Sequence, residues 1–80
     1  MPEDKHITVS KMKSGQTGKI IEIQGGQGLS ARLSALGIIP GRKLTKISEM
    51  LMRGPVTVKA GSTQVAIGHG MAGKIIVEPD

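Results

Sequence analysis

The sequence predicts a mostly β fold: a small barrel of about five or six short strands with one short inserted α-helix. Eighty residues leave room for one domain, residues 1–80. Twelve glycines divide the chain into short segments, and several of these segments alternate apolar and polar residues. Closing such short strands into a barrel removes the exposed edges that an open sheet would carry.

The strands follow one another closely along the chain. The segment 42–50 has an irregular phase, because Leu44 and Ile47 lie three positions apart, which indicates a β-bulge or a change of register. Gly61 and Ser62 form a two-residue hairpin signal. An SH3-like barrel is the leading architecture, and an open α+β sandwich is the second. The predicted strands are residues 7–9, 19–24, 42–50, 56–60, 65–67 and 75–77.

One helix is predicted between the second and third strands. Leu29, Leu33 and Leu36 fall at positions i, i+4 and i+7, which places them on one helix face. Gly37 is well placed just past the helix C-terminus, and Pro40 prevents continuation. A helix of under three turns is not stable alone, so its leucines must pack on the sheet.

The composition limits the classes of partner. The chain has a net charge of +5 and contains no Cys, Phe, Tyr or Trp. Without aromatic side chains it lacks the usual means of stacking nucleic-acid bases or of binding Pro-rich peptides. The basic residues are scattered, so a nucleic-acid-binding barrel is the least favoured alternative. With no apolar run of about 18 residues and no signal-peptide pattern, we expect a cytoplasmic protein that does not insert into membranes.

No pattern of catalytic residues stands out. The chain has two histidines and no Gly-x-Ser-x-Gly elbow, and its acids lie mainly near the termini. The sequence therefore predicts a binding protein with no catalytic or cofactor-binding residues, not an enzyme. His69, between two glycines, is the candidate ligand for a divalent transition metal, with Glu78 or Asp80 as candidate neighbours. An ordinary loop histidine is the alternative.

Large apolar residues stand in a predicted loop before Gly54-Pro55. Met50, Leu51 and Met52 either fold back over one end of the barrel or form an exposed patch. Methionine adapts its shape to different partners, which favours a protein-binding surface. Arg53 adds a charge beside this patch. We therefore predict that residues 50–53 contact a protein partner.

Residues 32–41, RLSALGIIPG, resemble the R-L-x-x-L-G-(I/M)-x-P-G signature of the FeoA family of ferrous iron transport proteins. Residues 15–20 resemble the family's G-x-x-G-x-I segment. Gly54-Pro55, followed by Val56, Val58 and Gly61, resembles the family's Gly-Pro segment with alternating valines and a closing glycine. The resemblance runs along essentially the whole chain. The motif positions matched in this sequence are Arg32, Leu33, Leu36, Gly37, Pro40, Gly41, Gly54 and Pro55.

The resemblance implies an SH3-like barrel and a small cytoplasmic accessory protein of ferrous iron uptake. The implied partner is the membrane transporter FeoB, whose cytoplasmic GTPase domain this chain would bind and modulate. A metal-binding or metal-sensing SH3-like domain is the alternative, and a homo-oligomer stays open. Two positions depart from the family pattern: Lys46 stands where an apolar strand residue is usual, and Leu51 stands where proline is frequent.

Overall fold

The computed structural model describes residues 6–52 and 54–80, and in this part of the chain six strands form one antiparallel sheet. The fold is mostly β with an inserted helix, as the sequence predicts, and it contains one additional, very short helix. In chain order the elements are β1 (Ile7–Thr8), a 3-10 turn (Val9–Lys11), β2 (Thr17–Ile23), α1 (Gln27–Ala35), β3 (Lys43–Glu49), β4 (Val56–Ala60), β5 (Thr63–Ile67), α2 (His69–Ala72) and β6 (Ile75–Pro79).

The strand order in the sheet is β1-β6-β2-β3-β4-β5. Strand β2 is central, because its first half pairs with β3 while most of its length pairs with β6. Strands β4 and β5 form a hairpin joined by Gly61 and Ser62, and Gly61 has a φ of +64°. This is the predicted two-residue turn, whose backbone requires positive φ.

The core is aliphatic, in keeping with a chain that has no aromatic residues. Alternate side chains of the strands point inward, as in β4, where Val56, Val58 and Ala60 are buried. The strands supply most of this core, and the 3-10 turn, the two helices and the connecting loops supply the rest. The buried apolar residues are Val9, Met12, Ile20, Leu33, Ile38, Leu44, Val56, Val58, Ala60, Ile67, Ala72, Ile75 and Val77.

Helix α1 ends where the sequence predicts. Gly37 has a φ of +86°, and its N–H donates to the carbonyl of Ser34 at 2.9 Å. The N–H of Ile38 donates to the carbonyl of Leu33, also at 2.9 Å. These two bonds form a Schellman motif, which needs a residue that tolerates positive φ at position 37. Leu33 is fully buried, so it is the residue that anchors the helix on the core.

The first strand is shorter than predicted. Val9 begins the 3-10 turn instead of ending a strand, yet its side chain is fully buried. Apolar alternation over three residues does not distinguish a strand end from a tight turn that reaches the same core.

Strand β3 contains the predicted irregularity. Its register against β4 shifts between Lys46 and Ser48. Ahead of the shift, Leu44 and Lys46 both point inward, whereas Ile47 is partly exposed. The bulge therefore changes the direction of the side chains at the end of β3, just before the loop to β4.

Candidate functional site

Three consecutive large apolar side chains project from the loop between β3 and β4. Met50 is 65 % exposed, Leu51 is 86 % exposed and Met52 is 95 % exposed. We call these three residues the apolar tip. Their exposure excludes the alternative in which the loop folds back over one end of the barrel. Arg53, the fourth residue predicted to contact a partner, lies outside the described residues.

Backbone contacts define the shape of this loop. The N–H of Met50 donates to the carbonyl of Pro55 at 3.0 Å, and the N–H of Gly54 donates to the carbonyl of Leu51 at 3.3 Å. A Cβ on Gly54 would lie 2.5 Å from the Cβ of Met50, so the loop can close only on a glycine. Met52 has a φ of +62°, a conformation that is uncommon for residues with a side chain.

The side chain of Lys46 lies fully buried at the base of the loop. Its Nζ donates to the carbonyl of Met12 at 2.7 Å and to the carbonyl of Ser10 at 3.3 Å. It also forms an ion pair with the carboxylate of Glu49. A buried ammonium is tolerated only when such partners replace its hydration shell. The three contacts tie the 3-10 turn at the start of the chain to the end of β3.

Glu49 completes this arrangement from the surface side. Its side chain is 43 % exposed. Glu49 directly precedes the apolar tip in the chain. The hydrogen bond from Lys46, and then the positive charge of Lys46, lower the pKa of Glu49 below its ordinary value of 4.5. Partial desolvation opposes this shift, and the charge of His69 adds a further, smaller lowering of the same pKa.

His69, the candidate metal ligand, is the first residue of α2 and is half-buried. Its charge contributes to the lowered pKa of Glu49. Of the two acids named as its candidate neighbours, Asp80 instead pairs with Lys43 at 2.5 Å. Across the described residues, no three His, Asp or Glu side chains converge into a group that could hold a metal ion. Metal binding through His69 stays a prediction.

The residues that match the family motifs have structural roles in the fold. Leu33 is buried and Leu36 is partly buried against the core, while Arg32 is exposed on α1. The N–H of Gly41 donates to the carbonyl of Ile20 at 2.7 Å, which ties the turn after the helix to β2. Gly37, Gly54 and Pro55 have the helix-ending and loop-closing contacts described above, and Pro40 is exposed in the turn.

The burial of Lys46 is not predicted from the sequence. The available signal was the strand period of two, which places residue 46 on the same inward face as Leu44. An aliphatic core was expected, and the partners of the ammonium lie 34 and 36 residues away in the chain. A local sequence pattern cannot reveal contacts between residues that lie so far apart in the chain.

The candidate site consists of the apolar tip, which protrudes from the surface, and of the buried Lys46 with its partners at the base of the loop. Over residues 6–52 and 54–80 the structure encloses no pocket. No helix within those ranges is long and apolar enough to span a bilayer.

Sequence comparisons with known proteins identify one family. Residues 7–79 match the FeoA domain model. A candidate Fe(2+) transport protein A of Methanocaldococcus jannaschii is 38 % identical over 66 residues, which cover 82 % of this chain and 78 % of that protein. A crystal structure described as the iron uptake regulatory protein FeoA superposes with a TM-score of 0.85 at 29 % identity, covering 94 % of this chain and 97 % of that chain.

A further solved structure describes the fold in words. The FeoA of Stenotrophomonas maltophilia, solved with zinc, is described as a prokaryotic SH3 domain protein. It superposes with a TM-score of 0.78 at 18 % identity, covering 92 % of this chain and 95 % of that chain. The predicted SH3-like fold class is confirmed.

Replacing Lys46 with Met tests whether the buried ammonium stabilises the fold. The thioether fills similar volume but leaves the carbonyl of Met12 without its donor. We expect Lys46→Met to lower the free energy of unfolding by about 1–3 kcal/mol, the usual cost of a buried unsatisfied polar group. Urea denaturation measures this change, and Lys59→Met, at an exposed position of β4, is the matched control. Equal stabilities of the two variants would contradict the assignment.

The ion pair between Lys46 and Glu49 predicts a specific acid sensitivity. Since folding lowers the pKa of Glu49, its stabilising contribution is present above about pH 4.5 and is lost as the pH falls through the folded-state pKa. Urea unfolding between pH 7 and pH 3 should show wild type more stable than Glu49→Gln at neutral pH, with the difference shrinking on acidification. Glu22→Gln, at another exposed strand position, is the control. A difference that stays constant with pH would refute the role of this carboxylate.

Proposed function

Since this chain belongs to the FeoA family, with its accessory role in ferrous iron transport, we propose that it binds the FeoB-like membrane GTPase transporter. Binding occurs on the cytoplasmic side through the apolar tip. The observation that carries the proposal is the exposure of Met50, Leu51 and Met52 at a loop that the fold holds in one shape.

The apolar tip has the properties of a recognition element. Contiguous apolar residues at the surface of a small domain are unfavourable unless a partner covers them. The positive φ of Met52 adds strain of order 1–3 kcal/mol, and such strain clusters at functional positions. The bonds to Pro55 and Gly54 order the loop in advance, which reduces the entropy lost on binding.

The charges below the tip favour an apolar contact over an ionic one. Glu49, the nearest described carboxylate along the chain, is already paired with Lys46. The partner therefore does not have to neutralise that carboxylate. An apolar pocket on the transporter that accepts Leu51 and the flanking thioethers fits this arrangement, since flexible Met side chains adapt to irregular surfaces. Modulation of GTP hydrolysis would follow if the occupied pocket adjoins a switch segment.

Replacing Leu51 with Asp tests the proposed interface. The substitution places a charge at the centre of the tip, where the proposed complex excludes water. We expect affinity for the transporter's GTPase domain to fall at least tenfold, since centrally buried interface residues typically contribute about 2 kcal/mol or more. Calorimetric titration measures the dissociation constant, and thermal unfolding checks that the fold is intact.

The matched control is Ser62→Asp in the turn between β4 and β5. It adds the same charge at an exposed position at the other end of β4 from the apolar tip. Ser62→Asp should bind like wild type. If both variants bind like wild type, the apolar tip is not the interface; if both lose affinity equally, net charge and not the tip determines binding.

Divalent metal binding is the alternative function, and it is separable by experiment. It is supported by the half-buried His69, whose charge contributes to the lowered pKa of Glu49, and by the zinc complex of the Stenotrophomonas maltophilia protein. Because Lys46 already pairs with Glu49, we expect titration with Fe(II) or Zn(II) below millimolar concentration to give no heat and no change in Tm. A binding heat that His69→Ala abolishes would establish the metal function instead.

A further inference from the structure

We propose that Met50 and Met52 are a methionine-oxidation site. Peroxide converts their thioethers to sulfoxides and thereby weakens binding of the apolar tip to its partner. The weakening of partner binding by oxidation, which is the regulatory half of this inference, rests on the proposed function. The selective oxidation of Met50 and Met52 does not. Methionine sulfoxide formation is reversible by dedicated reductases, so the modification can act as a switch.

The structure separates the methionines sharply by exposure. Met50 and Met52 are 65 % and 95 % exposed, whereas Met12 is 3 % exposed in the core. Met71 is partly buried and packs against the same core. Met1, the remaining one of the five, lies outside the described residues. Oxidant susceptibility follows exposure, so the two thioethers of the tip are the reactive ones within the described part of the chain.

The chemistry is a two-electron oxygen transfer from a peroxide. A lone pair of the thioether sulfur attacks one peroxide oxygen, so that an S–O bond forms as the O–O bond breaks. The departing oxygen takes up a proton and leaves as water when the oxidant is hydrogen peroxide. Sulfur is oxidised by two electrons and the peroxide is reduced by two. The thioether sulfur supplies both electrons, so no other group of the protein has to be oxidised or reduced.

The product changes the character of the tip and leaves the fold intact. A sulfoxide is polar and accepts hydrogen bonds, whereas the pocket proposed for the tip is apolar. Burying that oxygen without a donor lowers affinity by about tenfold per sulfoxide. Neither side chain contributes to the buried core, so oxidation need not unfold the protein.

The site also fits the proposed role of the protein. Ferrous iron reacts with peroxide to give damaging radicals, so an accessory protein that releases its transporter when peroxide is present would limit further uptake. Leu51 lies between the two methionines in the chain and does not react with peroxide. The tip is therefore apolar before oxidation and again after its sulfoxides have been reduced.

The test treats the full chain with hydrogen peroxide and follows each methionine by peptide mass spectrometry. We expect Met50 and Met52 to oxidise at least about tenfold faster than Met12. The protein oxidised at both positions should retain its Tm yet bind the transporter's GTPase domain at least about tenfold more weakly. Treatment with methionine sulfoxide reductases should restore binding.

A matched variant identifies the responsible atoms. The double substitution Met50→Leu and Met52→Leu keeps the tip apolar but removes both oxidisable sulfurs. Whatever its affinity relative to wild type, the dissociation constant of this variant should not change on peroxide treatment, whereas Met50→Gln with Met52→Gln should bind weakly without any oxidant.

Three results would overturn the inference: Met12 oxidising as fast as Met52, full binding by the doubly oxidised protein, or peroxide sensitivity of the double Leu variant. If untreated protein does not bind the GTPase domain, the proposed function fails together with the regulatory half. Selective oxidation of the tip, measured without any partner, would still stand.

Discussion

The buried ammonium of Lys46 is the interaction on which the candidate site depends. It connects the 3-10 turn to the last inward position of β3, through carbonyls of Ser10 and Met12 and the carboxylate of Glu49. Removing the ammonium would leave the buried carbonyl of Met12 without its donor, which typically costs about 1–3 kcal/mol. The contact therefore fixes the bulged end of β3 from which the apolar tip projects.

The tip combines features that do not stabilise an isolated domain. Its apolar side chains are in water, and Met52 adopts a backbone conformation that is unfavourable for it. The hydrogen bond between Met50 and Pro55 nevertheless orders the loop. Exposed apolar surface on a rigid support is the arrangement expected of a preformed recognition element. The same exposure makes its two thioethers accessible to oxidants.

Local signals in the sequence predicted much of the frame. Gly37 predicted the end of α1, and Gly61 predicted the hairpin turn. The spacing of Leu44 and Ile47 predicted the bulge in β3. Each of these features depends on neighbouring residues. The burial of Lys46 could not be predicted in the same way, because its carbonyl partners lie 34 and 36 residues away in the chain and the expected core was wholly aliphatic. The apolar tip was evident from sequence, but only the structure shows that it is uncovered.

Hydrogen–deuterium exchange of the chain, alone and with the transporter's GTPase domain, tests the central claim most directly. Because complex formation should cover the tip and stabilise its support, protection should appear in residues 49–56 and extend to the 3-10 turn joined to Lys46. The turn around Gly61 and Ser62 should exchange equally in both states. Protection centred on α1 or on the hairpin turn, with residues 49–56 unchanged, would contradict the account.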